Sequence, residues 1–164
     1  MAYNSREVSK ERIVVMVLFE GDRTIARPLA EVWAKLTDAR FLAQCIPDVE
    51  TVRQAEPGRA EVVLRPGFAF VRGTLDLTLE VVDPVAPTSA RLLLRAKGMG
   101  SSSDVEATLA LAPQGDGTRV HWAVEVKALG GLLKPVPQGL IRGAAQKVVT
   151  DAWAAVEARL AAEA

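Results

Sequence analysis

One cysteine and one histidine stand in the whole sequence. That scarcity excludes a disulfide framework and a standard zinc site built from this chain alone. It also leaves little for Cys–His or Ser–His catalysis. An excess of one charge is missing too: 20 Lys and Arg balance 20 Asp and Glu, and the isoelectric point is near 6.6. A chain without a basic excess is not built around a nucleic-acid partner. Long hydrophobic runs are absent as well. The longest uncharged stretch is about nine residues, against the ~20 a membrane-spanning helix needs. The opening MAYNSREVSKER has no apolar run followed by a small-residue cleavage site. The cytoplasm is the expected location, and a lone reduced Cys45 is compatible with it.

What is present is a globular composition, with 49% hydrophobic and 24% charged residues in 164. At this length one domain buries a sufficient core without staples. Residues 1–12 read as a solvated tail. IVVMVLFEGDRTI (13–25) is rich in β-branched residues and predicts a first strand. Pro28 opens a helical stretch in which Leu29, Val32, Trp33 and Leu36 share one face. Asp38 can cap a second short helix, ARFLAQC, which Pro47 stops.

The middle of the chain alternates with period two. Ala60, Val62 and Leu64 form one apolar set, and Leu75, Leu77, Leu79 and Val81 another. Leu92 and Leu94 follow, with Leu93 out of pattern, then Val105, Ala107, Leu109 and Leu111, then Val120, Trp122, Val124 and Val126. Such alternation gives each strand one core face and one wet face. Turn residues separate the segments: Glu56-Pro57-Gly58, Pro66-Gly67, Asp83-Pro84 with Pro87, Gly98–Ser103 and Gly115-Asp116-Gly117. Short strands joined by short turns predict an antiparallel meander. After Pro135 and Pro137 a long helix runs to about Leu160, with an apolar stripe of Ile141, Ala144, Val148, Ala152, Val156 and Leu160 and with Trp153 beside it. The order predicted is strand, two short helices, six strands and a long helix, with no repeat and no second domain.

A curved antiparallel sheet must cover its apolar face, and the long helix is the large cover available. A single helix leaves a gap over a strongly curved sheet, and such a gap is a natural ligand cavity. By parity its lining is Leu75, Leu77, Leu79, Leu92, Leu94, Val105, Ala107, Leu109, Trp122 and Val124 from the sheet. Leu140, Gly143, Ala144 and Val148 would face it from the helix. The same residues would equally make a filled core. Gly139, Gly143, Ala144 and Ala145 either let helix and sheet approach closely or leave room for a ligand. The segment from Gly130 to Leu140, dense in Gly and Pro but containing Leu132, Leu133 and Val136, is either a connector or a rim of the cavity mouth near Met99 and Pro66.

No catalytic set stands out. His121 has the parity of Arg119, Glu125 and Lys127 and faces solvent, whereas a general base needs a cleft and a positioned partner. Cys45 reads as a small buried hydrophobe. Asp104 and Glu106 read as the wet side of a strand. Gly98-Met99-Gly100 lacks the Lys-Ser/Thr and the helix that a phosphate loop requires. Gly139 and Gly143 have small-xxx-small spacing, but nearby charges argue against a membrane dimer. No metal or cofactor is expected.

Several motifs in order resemble the START-like, helix-grip superfamily (SRPBCC) that includes Bet v 1 and polyketide cyclases, and within it the CoxG family of carbon monoxide dehydrogenase accessory proteins. Phe19-Glu-Gly21 resembles that family's F-x-G. Pro28, Val32-Trp33 and Leu36-Thr-Asp38 resemble its P-x-x-x-V-W-x-x-L-x-D. Leu42-Ala-Gln-Cys45-Ile-Pro47 resembles its L-x-x-C-I-P-G, with Asp48 in place of Gly. Gly73 resembles the Gly of a later F-x-G, with Val71 in place of the aromatic residue. Asp83-Pro84, Gly98-Met-Gly100, Gly117-Thr118 and Gly130-Gly131-Leu132 match family turns.

The resemblance implies an α+β helix-grip fold: a curved antiparallel sheet of about seven strands wrapped around a long C-terminal helix, with two short helices after the first strand. Residues 13–164 would form the START-like ligand-binding domain. It further implies a non-catalytic accessory or carrier protein for a hydrophobic, quinone- or lipid-like molecule. A molybdenum hydroxylase of the CO dehydrogenase type would be its partner, with peripheral membrane contact and no nucleic acid. The alternative is a polyketide cyclase or dehydratase-like enzyme using the same cavity, which would need polar groups pointing inward.

Overall fold

A computed structural model of the chain describes residues 17–67 and 73–163. The expected tail at 1–12, the start of the expected first strand at 13–16, and Val71 lie outside the described residues. The elements are β1 (Val17–Ile25), α1 (Leu29–Leu36), α2 (Ala39–Cys45), β2 (Val49–Ala55), β3 (Arg59–Leu64), β4 (Leu75–Val85), β5 (Ser89–Gly98), β6 (Ser101–Gln114), β7 (Gly117–Gly131) and α3 (Gln138–Ala162). One sheet has the order β1-β7-β6-β5-β4-β3-β2, antiparallel throughout. This is the helix-grip architecture the sequence implies: a meander from β2 to β7, with β1 returning to pair with β7.

Local chemistry sets the element boundaries. Pro28, extended at φ −60° and ψ 149°, precedes α1, which buries Val32 and Leu36. The Asp38 carboxylate accepts from the Arg40 backbone N–H at 2.9 Å and caps α2. That helix ends at extended Ile46, as the following Pro47 requires. The β5–β6 turn runs through Gly98, Met99 and Gly100, all at positive φ. A Cβ at Gly98 would fall 2.6 Å from the Thr74 carbonyl oxygen, so only glycine fits there.

Alternation sorts the strands into an inner face toward α3 and an outer face toward solvent. Leu93, out of pattern in the sequence, lies half-buried on the outer face beside Glu80 and Glu106. The β6–β7 register shifts between Asp104 and Val105: Val105 pairs with Val126, whereas Asp104 pairs with Ala128. This bulge changes the parity of β7 and turns Leu129 inward.

Helix α3 has 25 residues and spans about 37 Å. Its two halves are held differently. Trp153, Val156 and Leu160 enter the main core with Val32, Leu36, Phe41, Leu79, Leu92 and Leu109. Polar ties reinforce that half: Glu157 to Arg23 at 3.2 Å, Glu163 to Lys35 at 2.8 Å, Arg159 to the Gln44 carbonyl at 3.2 Å, and Arg27 to the Leu160 carbonyl. The first half contributes Ile141 to a smaller core with Val17 and Val126, flanked by Phe19, Val105, Leu129, Val136 and Ala145. No helix among the described residues is long and apolar enough to cross a membrane.

Candidate ligand-binding site

The registers arrange the inner face of the sheet in rows. One row runs Val81, Leu92, Ala107, Val124, Phe19. The next runs Ala60, Leu79, Leu94, Val105, Val126, Val17. The third runs Val62, Leu77, Ala96, Ser103, Leu129. Every member but Ser103 is apolar, and the strand positions named from parity, Leu77, Leu79, Leu92, Leu94, Val105, Ala107 and Val124, all fall in these rows.

Burial divides this face. Leu77, Leu79, Leu92, Leu109 and Val124 are buried. Leu75, Leu94, Val105, Ala107 and Trp122 keep partial exposure, as do Ala144 and Val148 on α3, whereas the helix residues packed on the two cores include Ala145 and Val149. Leu94, Ala107 and Trp122 border the main core and Val105 the smaller one, on the side of the sheet that α3 covers. Of the helix positions expected to line the site, Leu140 differs. It is 54% exposed on the first turn of α3, because Ile141 takes the inward position there.

Trp122, placed inward by parity, is joined on the inner face by Phe19, Arg23 and Thr118, which parity reasoning did not name. Trp122 packs edge-on to Phe19 at 6.1 Å between centroids and tilted against Trp153 at 6.5 Å. Its indole Nε1 is buried and has no hydrogen-bond partner among the described residues. Arg23 points inward from β1, pairs with Glu157, and lies 5.8 Å from the Trp153 ring centroid. Thr118 is buried and donates to the Arg27 carbonyl at 2.8 Å. The inward place of Arg23 is readable from its alternation with Ile25. That of Leu129 is hidden, because the bulge that turns it leaves no mark in the residue types.

The β5–β6 turn meets the segment that follows β7. Leu132 donates its backbone N–H to the Gly100 carbonyl at 2.9 Å, and Leu133 is buried. The 130–134 segment therefore sits against the turn that carries Met99. Met99 and Leu132 are themselves exposed, at 57% and 66%.

The outer face carries a separate, open groove of about 450 Å³ lined by Asp83, Val85, Ser89, Arg91, Thr108, Ala110 and His121 among others. Its charges are already paired. Arg91 meets Asp83 and lies 2.8 Å from Glu106. His121 stands on this solvent face, 2.9 Å from Glu20 and 3.1 Å from Asp22. Hydrogen bonds to Asp22 and then Glu20 raise the His121 pKa. Hydrogen bonds from Lys127 and Arg91 hold Glu106 below the usual carboxylate range. Cys45 is buried, and desolvation pushes its thiol up to about 11.

A sheet gripping a long helix over an apolar inner face defines the START-like class of helix-grip proteins. Solved structures of the same fold include a conserved protein from Geobacillus kaustophilus, 23% identical with a TM-score of 0.78, over 88% of this chain and 95% of that one. A START superfamily protein from Mycobacterium smegmatis is 12% identical with a TM-score of 0.63, over 90% and 99%. A protein from Thermus thermophilus is 19% identical with a TM-score of 0.63, also over 90% and 99%. The model of the polyketide cyclase/dehydrase and lipid transport family matches residues 16–161, and the chain belongs to that family. No curated protein matches it.

Proposed function

We propose that this chain is a non-catalytic accessory or carrier protein that holds a hydrophobic small molecule, quinone- or lipid-like, between the sheet and α3. The observation that carries this reading is the half-buried aliphatic stretch of the inner face, Leu75, Leu94, Val105 and Ala107. Apolar side chains left partly uncovered beside a core gain when a ligand covers them, at roughly 25 cal/mol per Å² of apolar area. The family description, which includes lipid transport, is in keeping with it. A closer kinship with the CoxG family rests on the motifs from Phe19 to Leu132. With it go a molybdenum hydroxylase partner of the CO dehydrogenase type, peripheral membrane contact and a cytoplasmic location.

The second reading is a polyketide cyclase or dehydratase-like enzyme using the same space. It is favoured by the inward Arg23 and by the buried Trp122 indole, which has no partner among the described residues. In the carrier reading Arg23 ties β1 to Glu157 and is not free for chemistry.

Two measurements test the proposal. Native mass spectrometry of freshly purified protein should find a copurified apolar molecule. Menaquinone, ubiquinone or fatty-alcohol analogues should raise the melting temperature by mass action. Absence of both a bound molecule and any thermal shift overturns the carrier reading.

A further inference from the structure

The proposed apolar site has a polarity pattern that selects among hydrophobic ligands. Among the described residues, Arg23 is the one charged side chain on the inner face of the sheet, and it is spent on Glu157 at 3.2 Å in the half of the fold where α3 is pinned. Arg142 reaches β1 from α3 beside the inner-face Phe19, where the ring and a backbone carbonyl engage its guanidinium. It is exposed, 5.9 Å from the Phe19 ring centroid, and donates to the Leu18 carbonyl.

Toward the β5–β6 turn the inner face changes from aliphatic to hydroxylic. Ser103 stands between Ala96 and Leu129, and Ser101 pairs with Gly98 on one side and Gly131 on the other. Both serines are half-buried. A hydroxyl offers one donor and two acceptor sites but no charge. A carboxylate brought to it loses part of its hydration, and neither serine supplies the counter-ion that would offset that cost, which is far larger than for a neutral group.

Resting on the apolar-site reading above, we infer that the ligand is an uncharged amphiphile. Its chain lies along Leu94, Val105 and Ala107, and its alcohol, ketone or ester head meets Ser103 and Ser101 at the mouth. Carboxylates of the same chain length are discriminated against. The head group then faces the Met99–Leu132 end, where the ligand enters and leaves.

The test is displacement of the neutral fluorophore N-phenyl-1-naphthylamine from the full chain at pH 8 by 1-dodecanol, methyl dodecanoate and dodecanoate. Dodecanol and the methyl ester are expected to displace it at concentrations at least tenfold below that of dodecanoate. Ser103→Val should weaken dodecanol several-fold relative to the fluorophore, with its melting temperature as the control for folding. Ser101→Ala should weaken it in the same direction. Dodecanoate competing as well as dodecanol overturns the inference while leaving the apolar site standing. A Ser103→Val variant that binds dodecanol unchanged overturns the placement of the head group. A chain that binds neither fluorophore nor competitor contradicts the apolar site itself, and this inference with it.

Discussion

Gly21 and Trp122 face each other across the β1–β7 pair, and the indole occupies the space a side chain at 21 would need. A Cβ on Gly21 would lie 2.8 Å from Cζ2 and 3.1 Å from Cε2 of Trp122. The ring cannot swing away freely, because Phe19 and Trp153 hold it on its other sides. Gly21→Ala is therefore expected to cost about 1–3 kcal/mol, as overpacking of a core does. Trp122→Leu in the same background should recover part of that loss. Chemical denaturation of the two single variants and the double variant measures the coupling. Strictly additive losses would show that the indole does not depend on the missing side chain.

The first half of α3 carries a different kind of glycine. A Cβ at Gly143 meets nothing within 4 Å. Gly143→Ala should stabilise the fold by about 0.5–1 kcal/mol through helix propensity alone. If residues 130–140 and the start of α3 form the rim through which a ligand passes, the same change should slow release of a bound fluorophore. Amide exchange in that segment should be fast in the empty protein and slow in the loaded one. Equal protection in both states would leave the segment a plain connector.

Much of this fold was readable because apolar alternation and turn residues agree with each other. The Leu75–Val81 and Val105–Leu111 sets fall on the inner face as their parity requires, and Asp38 caps the helix it precedes. The failures have local causes. Leu140 belongs to the stretch that leads into the apolar stripe of α3, yet the helix turns Ile141 inward in its place. Leu129 follows a bulge whose position depends on pairing with β6, not on its own neighbours. The site was less legible than the fold. A half-buried aliphatic row and a filled core have the same residue types, and only the tertiary placement of α3 distinguishes them.

The exposed trio Glu20, His121 and Asp22 should leave a small pH signature. The folded pKa of His121 is raised by its bonds to Asp22 and Glu20, so its contribution is complete below the unfolded pKa and fades as pH rises through the folded value. Asp22 is lowered by its bond to His121, so its contribution is present above its unfolded pKa and fades as pH falls through the folded value. Both act together in the mildly acidic window of about pH 4–6.5. His121→Gln should lower the melting temperature more at about pH 5.5 than at about pH 8, with ligand binding unchanged. An equal loss at both values would remove the charge-coupled account. A loss of ligand binding would mean that the outer face takes part in the site.

Cys45 should be nearly inert. Its thiol is buried and pushed up to about 11 by desolvation, so almost no thiolate exists near neutrality. Ellman's reagent should label the native chain slowly and the denatured chain at once. Rapid labelling of the native protein would show that α2 opens locally.

Whether an apolar molecule lies against the inner face beneath α3 is decided at Ala107. This residue sits half-buried between Leu92 and Val124, whereas its neighbour Thr108 faces the outer groove. Titration of N-phenyl-1-naphthylamine into the wild-type chain should saturate at one probe per chain. Ala107→Trp, with its melting temperature as the control for folding, should abolish that signal, and Thr108→Trp should leave it intact. Undiminished binding to a folded Ala107→Trp variant, or loss of binding only in Thr108→Trp, would mean that the ligand does not lie between the sheet and α3.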